Sequence, residues 1–151
     1  GPGSMERTFI MIKPDAIKRR LISRIIQRFE EKGLYLAASK CVIPKREVLE
    51  THYSHLSSMP FFSEMVEDMM SGMVLAMVWV GKDAVSIGRK LIGETNPQAA
   101  SVGTIRGDYG VSTGKNIIHG SDCVENAEKE IKLWIGDDVQ PVSFFDKEWI
   151  Y

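Results

Sequence analysis

In the segment Asn116-Ile117-Ile118-His119-Gly120-Ser121-Asp122, a side chain is well placed to form a covalent bond. Two large apolar residues lead into His119, and Gly120 follows at once. A histidine at the end of a strand can offer a ring nitrogen whose lone pair is free near neutral pH. A neighbour without a side chain lets a large reactant approach the ring. Glu130, on the helix expected to follow, is within reach to fold back and orient the imidazole. That pattern suits a nucleophile rather than a base alone. A core histidine satisfied by a backbone carbonyl is the competing reading, and the segment alone leaves both open.

Other residues suit an anionic partner. Lys13 closes an apolar strand, where a lysine needs a phosphate, a sugar hydroxyl or a route to solvent. Arg89 and Arg106 have the planar fork that grips phosphate bidentately, although each taken singly fits a surface ion pair equally well. Gly114-Lys115 resembles the end of a P-loop but fails the motif. Tyr109 stands where the first glycine belongs, Asn116 stands in place of serine or threonine, and a strand follows instead of a helix. Any phosphates must then be held by side chains. His52 and His55 have a spacing compatible with a metal pair, but no third ligand is evident, so they read as a solvated helix face. The methionines from Met59 to Met77 read as core filling, and Lys18-Arg19-Arg20 as solvated surface.

The elements that must position these residues follow from periodicity. Arg7 to Lys13 is a strand apolar on both faces, and Pro14-Asp15 opens a helical region. Leu21, Ile22, Ile25, Ile26 and Phe29 recur at helical spacing up to a stop at Gly33. Strands are expected over Leu34 to Ile43, Met73 to Val80 and Asn116 to His119. Helices are expected over Lys45 to Leu56, Phe61 to Met70, from an Asp83 cap through Leu91, and from an Asp122 cap with Glu125 in capping-box spacing through about Ile135. Gly93 to Lys115 has no apolar period, and so long a loop in a compact domain is usually functional. This order leaves parallel and antiparallel sheets open.

Gly1-Pro2-Gly3-Ser4 reads as a tag remnant, and 5–151 as a single domain. At 44% hydrophobic and 26% charged residues the composition is that of a globular protein. A net charge of −1 gives no general attraction to nucleic acid or an anionic membrane. No apolar run is long enough for a membrane span and no signal peptide is seen, so a cytoplasmic protein is expected. Cys41 and Cys123 match no metal spacing and read as free thiols.

The Asn116–Asp122 block resembles the signature of the nucleoside diphosphate kinases. The resemblance extends from Glu6-Arg7-Thr8-Phe9 to Trp149-Ile150-Tyr151 and includes Ile12-Lys13-Pro14-Asp15, Arg89 with Gly93-Glu94-Thr95-Asn96-Pro97, and Gly103-Thr104-Ile105-Arg106-Gly107-Asp108. It implies an α+β, ferredoxin-like fold, with an antiparallel four-stranded sheet and helices on one face. It implies ping-pong transfer of the terminal phosphate of a nucleoside triphosphate to a diphosphate through a phosphohistidine at His119. By the same resemblance, Glu130 orients His119, Ser121 bonds Glu130, and Tyr53 lies near the transferred phosphate. Arg89, Arg106 and Thr95 hold phosphates, Lys13 and Asn116 reach sugar hydroxyls and phosphate, and Phe61 stacks on the base. Mg2+ is expected to arrive with the nucleotide, with no protein metal cage. The expected assembly is a homo-oligomer, most naturally a hexamer, in which the aromatic tail of Phe144, Phe145, Trp149, Ile150 and Tyr151 touches a neighbour, with the chain's own core as the competing docking place.

Four positions depart from the family pattern. Thr113 replaces an apolar residue against the base, Lys115 a common arginine, Arg20 a small turn residue, and Val102 a proline. A catalytically idle scaffold is disfavoured by the intact Lys13, Arg106, Asn116 and His119 set. An RNA-binding domain is disfavoured by the near-zero charge and the missing RNA-binding signature.

Overall fold

The computed structural model describes residues 3–145, so the Trp149-Ile150-Tyr151 end of the expected tail contact lies outside the described residues. Four strands form one antiparallel sheet in the order β2-β3-β1-β4: β1 Met5–Ile12, β2 Tyr35–Val42, β3 Val74–Lys82 and β4 Ile118–Gly120. The helices are α1 Pro14–Lys18, α2 Ile22–Glu31, α3 Arg46–His52, α4 Phe62–Met70, α5 Ala84–Ile92, α6 Ile105–Tyr109 and α7 Val124–Trp134. None of them is long and apolar enough to cross a membrane.

The apolar run of β1 is buried on both faces because both faces of the sheet are covered. Ile10 and Ile12 pack with Met77 and Trp79 beneath α2, α5 and α6. Phe9 and Met11 pack with Ala76, Val78 and Val80 against α3, α4 and α7. Helices on one face alone are therefore too few, since the alternation of a central strand sends every second apolar side chain to a second layer. Phe145 also joins that second layer, its ring 5.5 Å from Tyr35, so this part of the tail docks on the chain's own core.

Several local expectations change. The Gly93–Lys115 stretch contains α6, capped by the Thr104 hydroxyl, which accepts from the Gly107 N–H. Asp83 precedes α5 with φ 54° and makes no side-chain cap; its carboxylate accepts instead from the Gly3 N–H. The cap of α7 is Cys123, whose sulfur accepts from the Asn126 N–H, while the Asp122 carboxylate accepts from the Asn126 side-chain amide. Both cysteines are free thiols.

Arg20 turns the chain between α1 and α2 in the left-handed region, with φ 61°. A Cβ in that region costs about 1–2 kcal/mol, partly offset because glycine loses more freedom on folding. Arg20→Gly is therefore expected to stabilise the fold by about 0.5–1 kcal/mol, raising the thermal midpoint by roughly 1–4 °C. A lower midpoint would mean that the Arg20 side chain contributes more than its backbone strain removes.

Candidate functional site

The short strand β4 carries the candidate nucleophile. His119 pairs with Met11 of β1, so its side chain faces the layer of α3, α4 and α7 and opens into a cavity of about 1240 Å³. Gly120, one residue on, faces the opposite way. A Cβ there would meet Ile92 Cδ1 at 2.5 Å and Ile10 Cδ1 at 3.2 Å. A side chain there would push the ends of Ile92 and Ile10 aside, so the glycine lets β4 pack closely on α5 while its backbone borders the cavity beside the histidine.

His119 Nε2 lies 2.9 Å from Glu130 Oε1, and the Ser121 hydroxyl donates to the same oxygen at 2.5 Å. Burial pushes the Glu130 carboxyl up, but the hydrogen bonds and charge of His119, with Ser121 adding, outweigh it and hold the carboxyl below its usual value. An ionised Glu130 can only accept, so the proton between them sits on His119 Nε2. The lone pair of a neutral ring is then on Nδ1.

The opposite wall is cationic. Lys13 Nζ donates to Asn116 Oδ1 at 2.8 Å, and Asn116 Nδ2 donates to the Thr95 carbonyl at 3.3 Å. Burial, with Arg106 adding to it and Asp15 opposing, lowers the Lys13 ammonium to about 8. Arg106 is 5% exposed and donates to three carbonyls: Asn116 at 3.3 Å, Gly93 at 3.1 Å and Ile118 at 2.7 Å. Burial and the neighbouring Arg89 lower its guanidinium to about 10. Two buried cations held below their ordinary values are under-compensated by the protein, and an anionic ligand supplies what they lack.

Every sequence-derived site residue but Ser121 lines this cavity: Lys13, Tyr53, Phe61, Arg89, Thr95, Arg106, Thr113, Asn116, His119 and Glu130. Ser121 lies just behind it, bonded to Glu130. Burial raises the Tyr53 hydroxyl well above its usual value, so it stays a neutral donor. Phe61 is 45% exposed at the cavity, an aromatic face left open to a flat partner. Lys115 does not line the cavity, while Asp122 does, its carboxylate kept ionised mainly by the Asn126 hydrogen bond.

His52 corrects the expectation of a solvated helix face. It lines the cavity and packs at ring distances of 4.6 Å from His119, 5.6 Å from Trp134 and 6.3 Å from Phe9. The signal in the sequence was its place beside Tyr53, which the family resemblance put near the transferred phosphate. His55 is exposed, as expected, although it too borders the cavity.

The chain matches the family model described as nucleoside diphosphate kinase over residues 6–139. It is 53% identical to nucleoside diphosphate kinase 1 of Saccharum officinarum over 147 residues, covering 97% of this chain and 99% of that one. It is 55% identical to the nucleoside diphosphate kinase of Synechocystis over 134 residues, covering 89% and 90% of the two chains. Among solved structures, a halophilic nucleoside diphosphate kinase from Halobacterium salinarum in complex with CDP superposes with a TM-score of 0.90 at 42% identity, covering 98% of this chain and 99% of that one.

The depressed Lys13 ammonium gives a pH dependence with a definite sign. It is charged below about pH 8 and neutral above, so attraction for phosphate is lost as pH rises through that value. In steady-state rates, kcat/KM for a nucleoside diphosphate is expected to fall above about pH 8, and Lys13→Ala is expected to remove that limb. A limb unchanged in the variant would assign it to another group. With family model, full-length relatives and superposed fold in agreement, the chain belongs to the nucleoside diphosphate kinase family.

Proposed function

We propose that this nucleoside diphosphate kinase moves a phosphoryl group between nucleotides by way of His119 Nδ1. The observation that carries the proposal is the pairing of His119 Nε2 with Glu130, which leaves Nδ1 free on a residue that lines the same cavity as Lys13, Arg89 and Arg106. Nδ1 attacks the γ-phosphorus of a triphosphate. A P–N bond forms as the P–O bond breaks, and the electron pair leaves on the β-phosphate oxygen. A second diphosphate then attacks the phosphohistidine, and the lone pair returns to Nδ1. Glu130 stabilises the positive ring while the phosphate is attached, and Ser121 holds Glu130. Lys13, Arg89, Arg106 and the neutral Tyr53 hydroxyl neutralise or bond the phosphate oxygens as charge moves, with Asn116 and Thr95 holding the nucleotide beside them.

Phe61 and Thr113 are assigned to the base. Stacking reads any base because every base has a π face. The CDP bound by the Halobacterium relative supports a fit for pyrimidines. The charge on the phosphates calls for a divalent cation, which we assign as Mg2+. The donor set fits: a hard cation that keeps most of its water and takes phosphate oxygens needs only one or two carboxylates, and Asp122 offers an ionised one at the cavity. When bound, the cation screens the phosphates and polarises them toward attack.

We also assign a cytoplasmic setting, which two exposed free thiols suit, and a homo-oligomer, with a hexamer as the expected form. Val102 at 91% and Phe144 at 56% exposure are apolar groups that an assembly would cover. Sedimentation equilibrium tests this, and a monomer at micromolar concentration would refute it.

Labelled ATP should leave one phosphate on the protein, stable in base and labile in acid, and His119→Ala should lose it. Label retained by the variant would sink the mechanism. Lys13→Ala should lower turnover by roughly 10²-fold or more, beyond its effect on diphosphate binding. Arg106→Ala should do the same and also lower stability by about 1–3 kcal/mol, because three carbonyls lose their donor. A stable Arg106 variant with normal turnover would leave the residue with neither role.

A further inference from the structure

The ring of His52 stands between Trp134 and His119. The Trp134 indole N–H donates to His52 Nδ1 at 3.0 Å. An indole nitrogen can only donate, so Nδ1 of His52 carries the lone pair and the proton of its neutral ring is on Nε2. The His52 and His119 rings meet edge to face, with centroids 4.6 Å apart and planes at 77°. Phe9 buttresses the group, stacked on Trp134 at 6.0 Å and also 6.0 Å from His119. His52, His119 and Glu130 have the composition of a metal triad, with candidate ligand atoms within 4.8 Å of one another. Hydrogen bonds already occupy part of the group: Glu130 Oε1 accepts from His119 and Ser121, and His52 Nδ1 accepts from Trp134. Hydrogen bonds and ring contacts hold the cluster together.

We propose that His52 is a positioning residue for the nucleophile, held by Trp134 as the neutral Nε2–H tautomer so that its ring wedges His119 without competing for Glu130. This inference rests on His119 being the phosphoryl acceptor. The charged groups facing His52 are Glu130, Lys13, His119 and His55. A protonated His52 would be drawn to Glu130, the carboxylate that orients His119. It would also set a second positive charge against a ring that must give up its lone pair. Burial is the main force against that charge, with His119 adding to it, and it lowers His52 to about 3. The indole bond acts in the same direction, because it occupies the nitrogen that a proton would take.

Nitrogen-15 NMR of the histidine rings in the nucleotide-free protein reads the tautomer directly, and single-turnover phosphorylation by ATP reads its consequence. In the wild type, His52 should remain the Nε2–H tautomer from about pH 8 down to about pH 5. Trp134→Phe keeps an aromatic ring and removes the donor. Burial still keeps the ring neutral, but its proton is free to move to Nδ1, which the nitrogen-15 spectrum reads, and phosphorylation should slow because the Nε2–H form is no longer selected. Adding His52→Gln to Trp134→Phe should slow phosphorylation no further than His52→Gln alone, because the indole acts only through the His52 ring. His52→Gln alone should slow phosphorylation by roughly tenfold or more at every pH, with little change in ATP binding, since the wedge is lost. It also serves if Trp134→Phe does not fold. A wild-type His52 in the Nδ1–H form, an unchanged His52 tautomer in Trp134→Phe, or an undiminished rate in His52→Gln would overturn the proposal. Failure of the wild type to take up label would instead overturn His119 as acceptor, and would do so whatever the tautomer of His52.

Discussion

The Arg106 guanidinium is the part on which the rest of the site depends. Ile117, a β-branched residue, is fully buried with φ 65°, in the left-handed region that such residues avoid. Arg106 donates to the carbonyls of Asn116 and Ile118, one on each side of it, and to Gly93 at the other end of the loop. The Lys13 N–H bonds the Ile117 carbonyl itself at 2.9 Å. The strained turn persists because its neighbours over-determine it. The result is that Asn116 is directed to Lys13, and His119, three residues further on, is delivered to the cavity. The same arginine thus sets the backbone of the nucleophile's strand and carries charge into the site.

Once the strand is fixed, electrostatics divides the cavity into two sides. On one side, Glu130 receives His119 and Ser121 and settles which nitrogen of the nucleophile is free. On the other, Lys13, Arg89 and Arg106 stand close enough for Arg106 to depress Lys13 and for Arg89 to depress Arg106. Repulsion among them is unfavourable in the empty protein and is relieved by a polyanion, so part of the affinity for nucleotide is built in by folding. A neutral His52 fits this division, since a further cation there would blur it.

Much of this could be read in the chain. The run Phe9-Ile10-Met11-Ile12 announced a strand buried on both faces, and the residues about His119, Lys13 and Arg106 announced a phosphate site. What stayed hidden depends on contacts between distant segments. A lone His52 on an amphipathic helix looks solvated until Trp134, 82 residues away, supplies its partner. Asp122 had the better composition for a helix cap, yet Cys123 takes that place, one residue on, and frees the aspartate for the cavity. Gly120 stands out beside His119, but only the side of the sheet it faces shows that it packs against Ile92 and Ile10. The second helical layer was missed because β1 and β3 reveal burial without saying what buries them.

Arg106 also has a dynamic consequence. Stretches such as Gly93 to Lys115 ordinarily belong to the least protected part of a protein, opening and closing independently of the sheet. Here, to detach, the loop must release Arg106 from Gly93, Asn116 and Ile118 and so loosen the strand edge beside β1. Loop and strand then form one cooperative unit, whose amide protons should exchange with solvent on the timescale of the central strands rather than of a surface segment. Nucleotides would enter and leave through the open mouth at Phe61, past a loop tied to the sheet by Arg106.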